Sequence, residues 1–102
     1  MATSESVRKL ALALDKTVER LSYGTPAFFA GKKIFARLLE DGDSVVLKID
    51  YDRRTVLMKS DPQTFFITEH YRNYPMLIVR LSRIATNELR ELLRDAWQIA
   101  SG

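Results

Sequence analysis

The segment with the most side chains capable of chemistry is the loop from Glu69 to Pro75, which separates two apolar runs. It holds the only histidine of the chain, two tyrosines, an arginine and an asparagine. A catalytic histidine needs an orienting acid and a nucleophile or a metal ion. Glu69 precedes His70 directly, and in an extended segment neighbouring side chains point in opposite directions. With no second histidine, no cysteine and no Gly-x-Ser-x-Gly motif, we expect no catalytic residue, metal site or cofactor. We expect His70 to hydrogen-bond within its loop.

Three cations fall in the middle of predicted β-strands: Arg37, Lys48 and Arg80. Successive side chains of a strand point to opposite faces of the sheet. Lys48 therefore lies opposite the face of Val45 and Leu47, which suit a core. The sequence predicts a second sheet face that carries these cations.

The same alternation gives the cationic face apolar and aromatic neighbours. A charged Arg37 is not expected in the core, so Phe35 and Leu39, on the same face of its strand, are expected to point outward. By the same alternation, polar Thr68 is expected to point outward together with Phe66. The complete set of expected neighbours is Phe35, Leu39, Val46, Phe66 and Ile78.

The Asp41-Gly42 pair predicts a tight hairpin turn and thereby a strand register. It places Arg37 opposite Val46, and Phe35 opposite Lys48. A slip of one residue would exchange the two faces. A slip of two would set Arg37 against Lys48, a destabilising like-charge pair.

The wider pattern predicts three helices and five strands, because apolar residues recur at helical or alternating spacing between turn signals. Gly24 and Pro26 are expected to end the first helix. Ser4, Asp52 and Thr86 are the expected helix caps. The predicted elements are a helix from about Glu5 to Ser22, strands Ala27–Ala30, Lys33–Glu40 and Ser44–Asp50, a helix over Arg53–Ser60, strands Phe65–Thr68 and Met76–Ser82, and a last helix after Thr86.

This order, α-β3-α-β2-α, predicts an α+β fold in which a five-stranded antiparallel sheet carries all helices on one face. The 102 residues suit a single domain spanning 1–102. No apolar run has the length of a membrane span, so no membrane partner is expected. The lack of cysteine favours a reducing, cytoplasmic setting.

Cations interleaved with aromatic side chains can hold a phosphate backbone and stack bases. The net charge of +3 permits an anionic partner without requiring one. Two alternatives stay open: the cationic stems only shield apolar surface from water, or a protein or a second copy of the chain covers this face. The candidate nucleic-acid contacts are Lys32, Lys33, Arg37, Lys48, Arg72 and Arg80.

Two segments resemble the MmcQ/YjbR-like family. Residues 22–28 read Ser-Tyr-Gly-Thr-Pro-Ala-Phe, similar to the family's SYGTPAF signature, and residues 70–75 are similar to its HY-x-x-YP loop, which runs into an LVRL strand. Ala96-Trp97 matches as well, so the resemblance covers nearly the whole chain. The motif and loop positions are Tyr23, Gly24, Thr25, Pro26, His70, Tyr71, Asn73, Tyr74 and Pro75, with Arg80 in the strand that follows.

The resemblance implies the secretion-chaperone-like fold, α-β3-α-β2-α, which agrees with the order inferred from the residues. It also implies a DNA-binding role, proposed for the family from paired winged hairpins, and no settled activity or cofactor. The alternative is a protein-interaction or chaperone-like module that uses the open sheet face. We further expect both motifs to meet at one end of the sheet, joining Tyr23 and Thr25 to His70 and Tyr74.

Overall fold

The computed structural model describes all residues from 1 to 102. It confirms the α+β fold, with three helices and one antiparallel sheet, and the sheet has six strands in the order β1-β2-β3-β4-β6-β5. Two short 3-10 turns, Glu69–Tyr71 and Leu81–Arg83, flank β6. The elements are α1 Ser4–Leu12, β1 Thr17–Ser22, β2 Thr25–Ala30, β3 Lys33–Leu38, β4 Ser44–Lys48, α2 Tyr51–Ser60, β5 Phe65–Phe66, β6 Met76–Arg80 and α3 Thr86–Ser101.

The helices pack on one face of the sheet, as the sequence predicts. Val45 and Leu47 of β4 belong to the main hydrophobic core, together with Leu89 and Leu93 of α3. All four side chains are fully buried. None of the three helices is long and apolar enough to cross a membrane.

The prediction of the first helix is wrong over its second half, which forms the additional strand β1. The helix ends at Leu12, Lys16 has a φ of 54°, and the chain continues as strand β1. Val18 and Leu21 have the spacing of a helical stripe, yet they are 42% and 75% exposed. Pairing of β1 with β2 therefore decides the structure of a segment whose spacing also fits a helix.

Each predicted helix cap is displaced by one or two residues. Thr3, not Ser4, caps α1 in a capping box with Ser6. The carboxylate of Asp50, not Asp52, accepts from the backbone N–H of Arg53 at the start of α2. Thr86 is the first residue of α3, which begins without a side-chain cap.

The predicted strand register between β3 and β4 is confirmed by the pairing of Arg37 with Val46. Phe35, by contrast, is wrongly placed by simple alternation. The β2–β3 register shifts between Phe28 and Phe29, which leaves Phe35 as the extra residue of β3 between Ile34 and Ala36. Such a bulge reorients the side chain, and Phe35 is fully buried in the main core.

The predicted strand over Phe65–Thr68 is shorter in the structure. Only Phe65 and Phe66 pair with β6. The chain then leaves the sheet and enters the 3-10 turn at Glu69. The loop that carries the histidine motif therefore begins earlier than predicted.

Candidate functional site

The sheet face without helices, here called the outer face, has a continuous row of paired residues across five strands. The pairs are Ala27 with Arg37, Arg37 with Val46, Val46 with Ile78, and Ile78 with Phe66. Three of them, Ala27, Val46 and Ile78, are at most 1% exposed but stand apart from the main core. Neighbouring side chains and loops therefore cover the apolar floor of the outer face.

Arg37 joins this floor to the first sequence motif. Its Nη1 donates to Thr25 Oγ1 at 2.8 Å, and its guanidinium lies 5.5 Å from the ring centre of Tyr23. Glu40 adds a carboxylate oxygen 3.7 Å from Nη1. The Arg37 side chain is only 12% exposed, so it acts as a partly desolvated cation beneath the motif.

The first motif forms the turn of the β1–β2 hairpin, which corrects the expectation of a helix end. Tyr23 and Gly24 have φ values of 54° and 83°. Two successive positive φ angles are the mark of a type I′ turn, whose twist suits a hairpin. The turn holds Tyr23 at the hairpin tip with 88% of its surface exposed.

The second motif carries a cluster of three rings. The His70 ring stands edge-on to Tyr71 with 4.7 Å between centroids, and its centroid lies 6.1 Å from that of Tyr74. His70 forms no side-chain hydrogen bond among the 102 residues, so the predicted bond within the loop is wrong. Ring packing positions His70 instead.

Sequence reasoning missed Arg54, which anchors this loop to α2. From Nη1 it donates to the carbonyl oxygens of Tyr71, Tyr74 and Met76, and from Nη2 to that of Arg72, over 2.7–3.2 Å. Backbone carbonyls carry no residue-specific pattern, so no sequence signal pointed to this role. Arg54 determines the shape of the motif loop.

The two motifs meet across a groove on the outer face, here called the motif groove. It consists of two clefts of about 430 Å³ and 290 Å³ that share His70, Tyr71 and Met76. Tyr23 lines the larger cleft, and Tyr74 lines the smaller. The complete lining is Ser22, Tyr23, Ile34, Arg37, Glu40, Val46, His70, Tyr71 and Met76 in the larger cleft, with Lys48, Tyr74 and Pro75 added by the smaller.

Lys48 supplies the second cation of the motif groove. It pairs with Met76 across β4 and β6, and its side chain is half-buried. No carboxylate oxygen lies within 4 Å of its ammonium group among the 102 residues, in contrast to Arg37. Lys48 is thus a cation without an ion-pair partner, and it also lines a second cleft of about 400 Å³ together with Asp50 and Asp95.

Of the other predicted contacts, Arg80 lies on the outer face but outside the groove. Its guanidinium is 4.7 Å from the ring centre of Phe66, and Nη1 donates to the Gln63 carbonyl at 3.1 Å. Arg72 is exposed and pairs with Glu69 at 3.2 Å. Neither cation lines the groove.

The remaining predicted residues fall into two groups. Lys32 and Lys33 lie at the β2–β3 turn and line a separate cleft near Trp97. Pro26 pairs with Leu21 in the hairpin, and Asn73 is exposed in the motif loop. The structure therefore separates the basic turn from the motif groove.

Asp41 stabilises the loop between β3 and β4 through hydrogen bonds within that loop. Its carboxylate accepts from the backbone N–H of Asp43 at 2.8 Å and from the hydroxyl of Ser44 at 2.7 Å. Burial opposes ionisation, but these hydrogen bonds outweigh it and hold the pKa of Asp41 below its ordinary value. Asp41 is therefore a turn residue.

Comparison with known proteins gives one family and one fold. A family model described as YjbR matches residues 12–99. The uncharacterized protein Rv2570 of Mycobacterium tuberculosis and the uncharacterized protein Mb2600 of Mycobacterium bovis are each 35% identical over 57 residues. The match covers 55% of this chain and 44% of each relative, so it spans less than half of their length.

A solved structure is similar over almost the whole chain. The crystal structure of Deinococcus radiodurans protein DR2400, from the domain family DUF419, superposes with a TM-score of 0.82 and 23% sequence identity. The match covers 97% of this chain and 78% of that one. This similarity establishes the shared fold.

Proposed function

The chain belongs to the YjbR family, and on that premise we propose that it is a binding domain, not an enzyme, that holds DNA on the outer face of its sheet. The observation that supports this most is a set of arginines stacked on aromatic rings across that face. Proteins that bind single strands combine aromatic rings, on which bases stack, with arginines that add charge and cation–π contacts. The three pairs are Arg20 with Phe29 at 5.3 Å, Arg37 with Tyr23 at 5.5 Å, and Arg80 with Phe66 at 4.7 Å.

The accessible chemistry of the outer face favours an anionic, ring-bearing ligand. Its aliphatic floor, which includes Val46 and Ile78, is almost fully buried. Cationic and aromatic side chains such as Lys48 and Tyr23 reach solvent there, beside the exposed carboxylate of Glu40. A planar guanidinium presents five N–H donors, and Arg37 and Arg80 use only those of Nη1 in hydrogen bonds within the protein.

A protein-interaction module is the second candidate, and the β1–β2 hairpin tip favours it. Leu21 and Tyr23 are 75% and 88% exposed there. Exposed aromatic anchors are typical of protein interfaces. In that case Tyr23→Ala would cause the largest loss of affinity among the variants, and the salt concentration would have little effect on affinity.

The proposal is tested by a two-dimensional ¹H–¹⁵N NMR titration with short DNA at two salt concentrations. We expect shifts at the outer face. Each phosphate contact removed should lower the slope of log K against log salt by about 0.9 for duplex DNA, so Arg80→Ala should flatten the salt dependence. Arg90→Ala is the matched control, because Arg90 lies on α3 on the opposite side of the sheet.

Two results would contradict the proposal. One is the lack of DNA-induced shifts at low salt, where charge attraction is strongest. The other is a pattern of shifts confined to the helical layer. Self-association abolished by Tyr23→Ala would then support the interaction module.

A further inference from the structure

We propose that the motif groove takes one unstacked base of a single strand, packed between Tyr23 and the His70 ring cluster, with an adjoining phosphate at Lys48. The inference rests on the proposed function and specifies its ligand. It predicts that the protein prefers single-stranded over duplex DNA.

The walls of the groove have the chemistry of a base-stacking site. Tyr23 comes from the hairpin tip, while His70 and Tyr71 come from the motif loop, and all three line the larger cleft. Its volume, about 430 Å³, falls in the range of small-ligand pockets, roughly 300–1,000 Å³. An unstacked base offers a free face to these rings, whereas bases within a duplex are already stacked on one another and must first be extruded.

The exposure of Tyr23 distinguishes a ligand site from simple packing of two loops. If the hairpin tip and the motif loop only shielded the floor, their facing rings would be buried against each other. Tyr23 instead remains 88% exposed, although Arg37 lies 5.5 Å from its ring centre. The ring is held in place and still available for stacking.

The charges within the groove give the base and the phosphate different places. Glu40 lies beside Arg37 in the larger cleft, and its carboxylate would repel a phosphate there. Together these residues offer an acceptor and donors for the edge of a base. Lys48 lines the smaller cleft, which has no acidic residue in its lining, so the phosphate is expected there.

The test measures fluorescence anisotropy with three labelled DNA probes: a mixed-sequence single strand, its duplex, and the same strand with abasic sites. We expect the intact single strand to bind most tightly. The abasic strand should bind about tenfold more weakly, since stacking of one base on an aromatic side chain accounts for such a factor. Tyr23→Ala should reproduce this loss on the intact strand and leave duplex binding nearly unchanged.

Two further variants keep the test specific. Tyr23→Phe preserves the ring and should retain single-strand binding. Lys48→Ala should lower the salt slope on single strands by about 0.7, whereas Lys33→Ala, at the distant β2–β3 turn, should not. Amide spectra of each variant verify the fold.

The outcomes separate this inference from the proposed function. Equal affinity for the intact and the abasic strand would overturn the base site. So would an equal loss of affinity for single strand and duplex in Tyr23→Ala. Either result would leave only a face that binds phosphate. No binding of any probe at low salt overturns both.

Discussion

Nη1 of Arg54 lies 2.7 Å from the carbonyl oxygen of Tyr74, and this hydrogen bond ties α2 to the motif loop. The same guanidinium also holds the carbonyl groups of Tyr71, Arg72 and Met76. These hydrogen bonds from one charged side chain to four carbonyl groups take the place of the backbone hydrogen bonds of a helix or a sheet, which the loop lacks. The shape of the motif groove therefore depends on a residue outside both sequence motifs.

We predict that Arg54→Ala destabilises the protein by about 2 kcal/mol, because hydrogen bonds to a charged group contribute about 1.5–3 kcal/mol. Arg54→Lys should restore little, since an ammonium group lacks the planar fork of a guanidinium. Urea denaturation measures the stability. Hydrogen exchange at the amide of Tyr74 reports on the loop. Arg94→Ala on the exposed side of α3 is the control, and an unchanged midpoint with unchanged exchange would refute the anchoring role.

Gly24→Val should destabilise the fold by at least about 1 kcal/mol. Gly24 has a φ of 83° in the hairpin turn, a conformation that a β-branched residue resists. No atom outside its own chain neighbours lies within 4 Å of the position of a Cβ, so the cost is conformational rather than steric crowding. Gly24→Asn should cost much less, because asparagine tolerates positive φ. Equal thermal midpoints for wild type and Gly24→Val would exclude strain at this turn.

Phe35→Ala should cost about 3–5 kcal/mol, the usual range for a fully buried phenylalanine. Its side chain has no solvent exposure. Phe66→Ala, at a half-buried position on the outer face, should cost less and is the comparison. Chemical denaturation measures the free energy of unfolding of both variants. Similar small losses of stability in the two would mean that Phe35 does not face the core.

The stability at acid pH should depend on Asp61. The hydroxyl of Thr64 donates to its carboxylate at 2.6 Å, and this bond, aided by nearby Arg83, holds the pKa of Asp61 below its ordinary value. A depressed pKa adds stability that is fully present above the unfolded value, about 3.9, and is lost as the pH falls through the folded value.

Asp61→Asn should therefore lower the thermal midpoint near pH 7 and reduce its dependence on pH in the acid range. Asp52→Asn, at an exposed position of α2, is the matched control. Parallel acid profiles for wild type and Asp61→Asn, measured by circular dichroism, would show that this carboxylate does not contribute.

The candidate site was predicted in part. Arg37, Tyr23 and His70 were expected from the sequence, and the structure places them around one groove. Arg80 lies on the outer face as expected but outside the groove, and Lys33, expected to bind the same ligand, lies at the separate β2–β3 turn. Residue type predicts which chemistry is possible, whereas spatial grouping depends on how the loops cross the sheet.

The sequence by itself determined the two faces of β4, the register set by Asp41-Gly42, and the last helix after Thr86, because these follow from local periodicity and turn chemistry. Only the tertiary structure decided that Val18 lies in a strand, that a bulge turns Phe35 inward, and that Arg54 holds the motif loop. Each of these depends on a partner outside the segment itself: the β2 strand, the β2–β3 register, or backbone carbonyls 17 to 22 residues further along the chain. Such pairings leave no periodic pattern in the segment they determine, and so the packed chain alone fixes them.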